Sequence, residues 1–565
     1  MFHSPSMRLR CAAALRTVSR WAPAILTTGL LLTSATAQET ATETTPATTL
    51  PADRQQGAAA VKVEDCKTWL GKLASEEFGG RGTGQPGYGL AADYVSAHFK
   101  SLGLEARGED GTYFQNVPWE QTKISKTEMT FSKDGKTVLT VAPDRMIGNV
   151  SADAKASGSV VLLNIEIPAT KNRRMPRIEG LDELDLKGKV VVAIVRLNGN
   201  SKRTASFVMR RALQGQGAAA LISGTLDEVS GGLTGSSRQA RRGGNPAAAG
   251  RNRSPLDVTI GGDDIRKLLG YANLTAETIA DAPMVTELDL SANILVETEV
   301  GQAPAMNVWG VLPGSDPKLK DEYVVIGSHL DHLGRDATGF FPGADDDGSG
   351  TTGVMAVAQM FAKNEVRPKR SILFVCFSGE ERGLVGSSYF VKNCPIPLSS
   401  IAAELQMDMI GRSEEESRDG GRLVNKGETA EDNKNVIHLV GTQKLSNTLH
   451  DICMAKNDTA GFDIEFDSEG LFTRSDHANF AYQGVPIAFV FTGIHKDYHQ
   501  RTDTPDKIEY PKLLRIARYI YDVGFEVANR SDRPTVDMDL WKSFKQSDRR
   551  GRMPNEPVAP VTGGK

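Results

Sequence analysis

Beyond residue 60, the chain shows three successive patterns of hydrophobic and polar residues. From Val61 the pattern becomes globular, and residues 87–104 have the spacing of an amphipathic helix. From about 140 to 298, short Val/Ile/Leu runs are separated by glycine and polar loops, which predicts a mainly β region. From 299 to 530, apolar runs alternate with helical segments, which indicates a different architecture.

The third pattern, from 299 to 530, predicts an α/β fold. The runs YVVIGS, SILFVCF, IAAELQM and VPIAFVF are continuously apolar, as strands buried on both faces of a parallel sheet are. Helical patterns lie between and after them, in GTTGVMAVAQMFAKN, GLVGSSYFVKN and YPKLLRIARYIYDVGFEVANR. We therefore expect an α/β/α sandwich with a mostly parallel central sheet, formed by residues 61–139 and 299–530. Residues 140–298 are expected to be an inserted, mainly β domain.

Both ends of the chain differ from this globular part. Four arginines between residues 8 and 20, the apolar run 21–32 and the cleavage pattern Ala35-Thr36-Ala37 predict a signal peptide over residues 1–37. A membrane anchor is disfavoured, because about 12 apolar residues are too few to span a bilayer. We expect an exported protein, periplasmic or secreted, without a membrane partner after cleavage. Residues 38–60 are predicted to be a disordered linker and residues 531–565 a disordered tail.

Composition adds little to this picture. The 565 residues carry a formal net charge of -4, which gives no indication of a nucleic-acid or anionic-membrane partner. Four cysteines remain after the signal peptide, too few in a chain of this length for a disulfide scaffold. Neither an oligomeric state nor a natural substrate can be assigned from the residues.

Candidate chemistry lies where the predicted strands end. Imidazole and carboxylate groups, which suit zinc, follow successive strands. These groups are His329 and Asp331, then Asp345, Asp346 and Asp347, then Glu380 and Glu381, then Asp408, and finally His499 beside Tyr498. Two zinc ions about 3.5–4 Å apart need a bridging carboxylate and one or two further ligands each, and the inventory fits that count.

The paired acids Glu380 and Glu381 are the most specific of these signals. Adjacent glutamates in a loop are usually solvated when they occur alone. At the end of a buried strand, a dication can bind one of them, while the other accepts a proton from metal-bound water. Each motif alone has an ordinary structural explanation, but five of them at consecutive strand ends make coincidence improbable. The chain contains no HExxH or GxSxG motif, which disfavours a single-zinc helix site and a serine hydrolase.

The motifs GSHLDHLG, PGADDDGSG, SGEERGLVGS, LQMDMIG and DYHQRTDTPDKI together resemble the co-catalytic zinc aminopeptidase family. That family includes aminopeptidases Y and S, glutamate carboxypeptidase II and the transferrin receptor. The resemblance covers roughly residues 62–530 and implies the zinc exopeptidase fold. The middle region, with DLKGKVVVAIVR and GAAALIS, is similar to the protease-associated domain often inserted in this family, and FGGRGTGQPG resembles the family's N-terminal segment.

The resemblance also implies roles for individual residues. Two zinc ions are expected, with ligands His329, Asp346, Glu381, Asp408 and His499, of which Asp346 forms the bridge. Glu380 matches the general base and Asp331 the acid that orients the first histidine. Tyr498 is similar to a tyrosine that stabilises the tetrahedral intermediate in some members. His332, His495 and Asp503 are close to these motifs in sequence but are not counted among the ligands.

These expectations predict an exported zinc aminopeptidase that hydrolyses peptides by a metal-bridged water, with Glu380 as general base. One alternative is a carboxypeptidase or dipeptidase on the same scaffold. Such enzymes bind a terminal carboxylate with arginine, and the sequence places no arginine in the pocket. The other alternative is a receptor-like binding protein without catalysis, disfavoured because all five ligand positions are filled.

Overall fold

A computed structural model describes residues 50–167, 180–197, 209, 216–235, 237–239, 256–336, 338–419, 422–548 and 551–560. They belong to one compact unit, Thr48–Lys565. The predicted signal peptide and most of the predicted linker lie outside the described residues. Within these ranges, no helix combines the length and the apolar character that crossing a bilayer requires.

The described part contains twenty-two strands, numbered in chain order: β1 Phe114–Asn116, β2 Trp119–Lys133, β3 Lys136–Thr140, β4 Met146–Val150, β5 Ala154–Ile167, β6 Val190–Leu197, β7 Ala220–Gly224, β8 Gly232–Gly235, β9 Ser237–Gln239, β10 Leu256–Ile260, β11 Val285–Gln302, β12 Met306–Leu312, β13 Tyr323–His329, β14 Arg335–Asp336, β15 Gly339–Phe340, β16 Ser371–Phe377, β17 Ile401–Met407, β18 Ser417–Asp419, β19 Arg422–Val424, β20 Val436–Val440, β21 Asp463–Glu465 and β22 Ile487–Phe491.

The described part contains eleven α-helices, also numbered in chain order: α1 Ala52–Ala59, α2 Val63–Leu73, α3 Pro86–Ser101, α4 Gly262–Gly270, α5 Gly348–Lys363, α6 Val385–Lys392, α7 Thr442–Leu445, α8 Asn447–Ala460, α9 His477–Ala481, α10 Tyr510–Asn529 and α11 Met538–Ser547.

The predicted α/β fold class is confirmed. Eight strands form one sheet in the order β1-β12-β16-β13-β17-β22-β20-β21. Its four central strands, β16, β13, β17 and β22, run parallel to one another. On one side, β12 pairs antiparallel with β16 and β1 pairs antiparallel with β12; on the other, β20 pairs antiparallel with β22 and parallel with β21. The apolar runs that predicted strands are the central strands, and each is buried along its whole length.

Helices cover both faces of this sheet. Along β16, Ile372 and Phe374 belong to one hydrophobic cluster, and Leu373 and Val375 belong to another, because successive side chains of a strand point to opposite faces. The first cluster contains side chains of α1, α2, α3, α5, α8 and α10. The second contains side chains of α6, α7, α9 and α11. The sheet is therefore the middle layer of an α/β/α sandwich.

A second, ten-stranded sheet forms the mainly β region. Its longest strands, β2 and β11, pair antiparallel, and they join this region to the α/β part just after β1 and just before β12. The region therefore runs from about Trp119 to Gln302, wider than the 140–298 expected from sequence. The boundary was missed because most side chains of β2 are polar or partly exposed, so no apolar run marks this strand.

The described end of the predicted linker is helical. Residues 52–59 form α1, where sequence analysis expected disorder over 38–60. The helix packs through small residues: a Cβ atom at Gly57 would lie 2.4 Å from the Met360 carbonyl oxygen of α5. Arg54 of α1 also forms a buried ion pair with Asp522 of α10. The lack of large apolar side chains, which suggested disorder, is what allows this close approach.

The predicted disordered tail contains α11, so the prediction for residues 531–565 is wrong over this helix. Asp537 caps the helix by accepting hydrogen bonds from the backbone N–H groups of Asp539 and Leu540. Trp541 and Phe544 bury against the second hydrophobic cluster. These two aromatic side chains, three positions apart, were too few to outweigh the polar composition around them.

Candidate metal centre

The topology gathers the predicted site residues at one edge of the α/β sheet. The carboxyl ends of the parallel strands β16, β13 and β17 lie side by side at this edge. His329 ends β13 and Asp408 follows β17 directly, whereas Glu380 and Glu381 come shortly after β16. His499 comes from the loop after β22. Residues far apart in sequence therefore meet in one buried place.

A first group of potential cation ligands consists of His329, Asp346 and Asp408, all buried. The Nε2 atom of His329 lies 3.3 Å from Oδ1 of Asp346 and 3.6 Å from Oδ1 of Asp408. The Nδ1 atom of His329 is 2.9 Å from the carbonyl oxygen of Asp331, to which it donates. The Nε2 atom therefore faces the two carboxylates.

A second group lies on the other side of Asp346. The Nε2 atom of His499 is 3.1 Å from Oδ2 of Asp346 and 3.3 Å from Oε1 of Glu381. Asp346 thus offers one oxygen to each group, which is the geometry of a bridging carboxylate. All five expected ligands are brought together in this arrangement.

His332 also faces the second group, although sequence analysis left it out. Its Nδ1 atom lies 3.0 Å from Oε1 of Glu381 and 3.6 Å from Oδ2 of Asp346. The signal for it was present in the sequence, since the motif HLDH places a second imidazole three residues after His329.

The polar atoms of the centre fit divalent cations. Among the described residues, Oδ2 of Asp346, Oε1 of Glu381 and both ring nitrogens of His332 are buried without a hydrogen-bond partner. Such orphaned polar atoms are costly unless something else binds them. Nitrogen and oxygen donors at these separations suit zinc, for which imidazole and carboxylate are ordinary ligands.

The electrostatics indicate the same requirement for positive charge. Burial opposes it, but the imidazole of His332, together with those of His329 and His499, holds the pKa of Asp346 well below its ordinary value. Conversely, although burial lowers it, the carboxylates of Asp408 and Glu380 raise the pKa of His329 well above its ordinary value. The neighbouring imidazoles thus favour the charged form of Asp346, and the neighbouring carboxylates favour the charged form of His329.

Glu380 lies beside the first group. Its Oε2 atom is 4.0 Å from Nε2 of His329, and its backbone N–H donates to Oδ1 of Asp331 at 3.0 Å. Burial raises the pKa of Glu380 well above its ordinary value, and the carboxylates of Glu381 and Asp476 add to this rise although His329 opposes it. A carboxyl group with a raised pKa beside a cation site is suited to carry a proton.

The carboxylate of Asp331 holds the loop of Glu380 more directly than it orients His329. Its Oδ1 atom is 3.9 Å from Nδ1 of His329, beyond hydrogen-bond distance. Its two oxygens instead accept from the backbone N–H of Glu380 and, at 2.8 Å, from the hydroxyl of Thr83. The hydrogen bond that orients His329 is therefore made by the backbone carbonyl of Asp331, and not by the carboxylate that the family resemblance implies.

Tyr498 lines the cleft next to the centre, with its ring stacked on His499 at a centroid distance of 3.8 Å. Arg474 donates a hydrogen bond to the Tyr498 hydroxyl at 2.9 Å, and Asp419 holds the same guanidinium. Because the Tyr498 oxygen already accepts from Arg474, its own proton remains available to an oxyanion in the cleft. Burial, helped by the carboxylate of Asp346, raises the pKa of Tyr498 and keeps it protonated.

The three consecutive aspartates have separate partners. Asp347 caps α5 by accepting from the N–H of Gly350, and it also accepts from the N–H of His329. Asp345 pairs with His495 at 3.1 Å. Only Asp346 faces both ligand groups, in agreement with the residue that the family resemblance selects.

Arg81 holds the loops behind the centre, and the motif FGGRGTG was the signal for it in the sequence. Its side chain is fully buried. The guanidinium donates to four carbonyl oxygens at 2.8–2.9 Å: those of Leu73, Leu330, Pro342 and Gly343. Arg81 thereby ties α2, the segment after β13 and the loop before Asp346 to one another.

A cleft of about 280 Å³ opens onto both ligand groups. Glu380, Tyr498 and Arg474 are among its polar lining residues. Much of its remaining wall is apolar, formed by Leu384, Met409, Leu471, Phe489, Phe491 and Ile494. The cleft therefore combines a polar reaction edge with an apolar recess.

A further cluster of potential ligands, Glu414, His438 and Glu465, lies outside this cleft. The imidazole of His438 is 3.2 Å from the carboxylate of Glu414 and 3.0 Å from that of Asp467. Burial lowers its pKa, but the acids Glu414, Asp467 and Glu465 outweigh burial, so the pKa of His438 is raised. A protonated imidazole between acids accounts for this cluster.

The fold and the centre define a class: a three-layer α/β protein with two adjacent groups of potential cation ligands at the carboxyl edge of its sheet. Residues 307–524, which contain all five expected ligands, match the model of Peptidase family M28. The resemblance of this part of the chain to the co-catalytic zinc aminopeptidase family is therefore confirmed.

Individual proteins are similar to this chain over part of their length or at low sequence identity. A probable leucine aminopeptidase of Arthroderma otae is 26% identical over 39% of this chain and 57% of its own length. Leupeptin-inactivating enzyme 1 of Streptomyces exfoliatus is 30% identical over 34% of this chain and 36% of its own length. The chain therefore spans less than two thirds of either relative. Among solved structures, a zinc aminopeptidase from Bacillus subtilis is 18% identical, covers 85% of this chain and 98% of its own, and has a TM-score of 0.49.

Proposed function

We propose that the protein is a zinc-dependent aminopeptidase that removes N-terminal residues from peptides. One observation carries the proposal: the two carboxylate oxygens of Asp346 face different ligand groups. Oδ1 faces the group that contains His329 and Asp408, and Oδ2 faces the group that contains His499 and Glu381. Two cations bridged in this way, next to the free carboxyl group of Glu380, form the arrangement needed for metal-assisted hydrolysis. The M28 family match and the names of the relatives support the same activity.

Zinc bound at the two groups would supply Lewis acidity, which polarises a carbonyl and lowers the pKa of water. Glu380 then acts as the general base: it takes the proton of the attacking water and later delivers it to the leaving amine. Asp331 fixes the Glu380 backbone through its N–H group. Tyr498 donates its hydroxyl proton to the oxyanion of the tetrahedral intermediate, held in place by Arg474.

The cleft also supports a preference among substrates. Its acidic residues favour a free, positively charged α-amine over a blocked one, because opposite charges attract strongly where water is excluded. Its apolar recess suits an aliphatic or aromatic side chain on the N-terminal residue. The alternative of a carboxypeptidase needs a cation free to bind a terminal carboxylate, whereas Arg474 in this cleft is bonded to Asp419 and Tyr498.

The base assignment is tested with Glu380→Gln, which keeps the shape of the side chain but removes its ability to accept a proton. We expect the variant to retain two zinc ions per chain by elemental analysis while kcat falls by about 10²–10⁴-fold. Glu365→Gln, at an exposed position away from the centre, is the matched control. Near-normal turnover of the Glu380 variant would remove Glu380 from the mechanism.

The reaction class is tested with a panel of free aminoacyl peptides and the same peptides blocked at the N-terminus. We expect release of N-terminal residues from the free peptides only. Release of C-terminal residues from blocked peptides would support the carboxypeptidase alternative. Intact peptides in the presence of bound zinc would support the receptor-like alternative.

Two further parts of the proposal concern the rest of the chain. We propose that residues 1–37 direct export and that the region from Trp119 to Gln302 is a protease-associated domain inserted in the peptidase. N-terminal sequencing of the exported protein tests the first point, and a mature chain that retains residues 1–37 would contradict it. No membrane partner is proposed for the protein after cleavage of the signal peptide. Peptides are the partners that the proposed activity requires.

A further inference from the structure

His332 contacts the second ligand group in a way that the five expected ligands do not explain. The side chain is 1% exposed. Within the described ranges, neither ring nitrogen has a hydrogen-bond partner, and Nδ1 faces Oε1 of Glu381 at 3.0 Å and Oδ2 of Asp346 at 3.6 Å. A buried imidazole normally satisfies at least one nitrogen. These unsatisfied nitrogens call for a partner that is not part of the protein.

The spacing of the donor atoms identifies that partner as a tetrahedrally coordinated cation. Bonds of about 2.0–2.1 Å to a central zinc place neighbouring ligand atoms about 3.3 Å apart. The Nδ1 atom of His332 lies 3.0 Å from Oε1 of Glu381 and 3.6 Å from Oδ2 of Asp346. The Nε2 atom of His499 lies 3.3 Å and 3.1 Å from the same two oxygens. These four separations are close to the edge length of such a tetrahedron.

We propose that His332 is a fourth protein ligand of the cation held by Asp346, Glu381 and His499, an inference that rests on the proposed zinc-dependent function. The two cation sites then differ. The second site then has four protein donors, His332, His499, Asp346 and Glu381, whereas the first group has three, His329, Asp346 and Asp408. Glu380 lies beside that first site, 4.0 Å from His329. Under this proposal, the site with fewer protein donors is the one beside the general base.

The surrounding backbone is shaped to hold the His332 ring. The backbone N–H of His332 donates to the carbonyl oxygen of Arg81 at 3.3 Å, and His332 pairs with Gly82 in an isolated β-bridge. A Cβ atom at Gly343 would lie 2.5 Å from two ring carbons of His332, so only glycine leaves room for the ring there. Gly343 also has a φ of +56°, which other residues rarely adopt.

The decisive measurement is a crystal structure of the zinc-loaded full-length protein, with the ions located by anomalous scattering. We expect a bond of about 2.0–2.1 Å between zinc and Nδ1 of His332. A separation above about 3 Å with both ions bound would overturn the assignment. Because this measurement uses the unmodified chain, it does not depend on whether a variant folds.

Zinc affinity provides a second readout that is independent of turnover. The metal-free protein is titrated with zinc against a chelator of known affinity, for the wild type, His332→Gln and Asp408→Asn. We expect His332→Gln to weaken one of two binding steps by more than the about 10–100-fold typical of an outer-shell partner, and Asp408→Asn to weaken the other. His98→Gln is the control, since His98 lies on α3 and contacts the carbonyl of Met355.

The outcomes separate the two proposals. If His332→Gln binds both zinc ions as the wild type does, His332 is not a ligand, whereas the proposed function stands. If the wild type binds no zinc, the proposed function fails and the assignment of His332 fails with it. Loss of one binding step in His332→Gln alone, with the His98 control unchanged, supports the inference.

Discussion

Arg81 provides the sharpest test of how the loops of the centre are held. Its buried guanidinium donates four hydrogen bonds to carbonyl oxygens in three separate segments. Replacement by methionine, Arg81→Met, keeps much of the side-chain volume but removes every donor and the positive charge. Burial lowers the pKa of Arg81, but Asp347, Asp346, Asp503 and Asp331 favour its charged form, so the charge is part of the fold.

The magnitude follows from these contacts. Four hydrogen bonds from a charged donor, at about 1.5 kcal/mol each, amount to about 6 kcal/mol. Part of this is offset, because the variant no longer buries a charge. We therefore expect the free energy of unfolding to fall by about 3–5 kcal/mol. Arg81→Lys retains the charge but not the planar array of donors, so its loss should be smaller.

Urea unfolding of the metal-free proteins, followed by circular dichroism, measures this difference without a contribution from zinc binding. Arg367→Met, at an exposed position, is the matched control and should unfold like the wild type. A loss below about 1 kcal/mol in Arg81→Met would show that these hydrogen bonds are replaced by water or by relaxation of the loops. The reasoning about Arg81 would then be wrong.

Three further predictions concern other contacts. Arg54→Met should lower the free energy of unfolding by about 3 kcal/mol in urea, because it leaves the buried Asp522 carboxylate without its partner; no loss would contradict a stable α1. His438 has a raised pKa, so its stabilising contribution is fully present below about pH 6.5 and is lost as pH rises through the folded-state pKa. Urea unfolding of His438→Gln should therefore show a larger deficit at pH 5.5 than at pH 9, and an equal deficit would refute the ion pairs. Arg474→Met should lower kcat by less than the about 10²–10³-fold expected for Tyr498→Phe, with zinc content unchanged; wild-type kcat would show that Arg474 does not position Tyr498.

The sequence by itself determined the α/β class and the kinds of side chain at the site. Continuous apolar runs such as SILFVCF are typical of strands buried on both faces, and the observed β16 is buried along its whole length. Because carboxyl ends of parallel strands meet at one edge, the residues after each run were expected to converge, and His329, Asp346 and Asp408 do so. The apolar runs are local features, so periodicity suffices to predict them, whereas the choice of individual ligands came from the family resemblance.

Weakly apolar segments were predicted less well. The strand β2 has few buried side chains, and α1 packs through Gly57 and alanine, so neither carries an apolar pattern. Such segments are ordered by contacts with distant parts of the chain, such as the ion pair of Arg54 with Asp522. Segments such as β2 and α1 have too few apolar side chains to form a hydrophobic core by themselves, but they can pack onto a core that other parts of the chain form.

Only the tertiary structure decided which polar side chains share the centre. His332 and His495 are equally close to the motifs in sequence, yet one faces Glu381 and the other pairs with Asp345. Arg81 reaches Leu330 and Gly343 from about 250 residues away along the chain. Hydrogen bonds and cation sites act over about 3 Å, and the chain path that brings atoms this close is set by packing of whole layers. The sequence thus specified the donors, and the fold specified their partners.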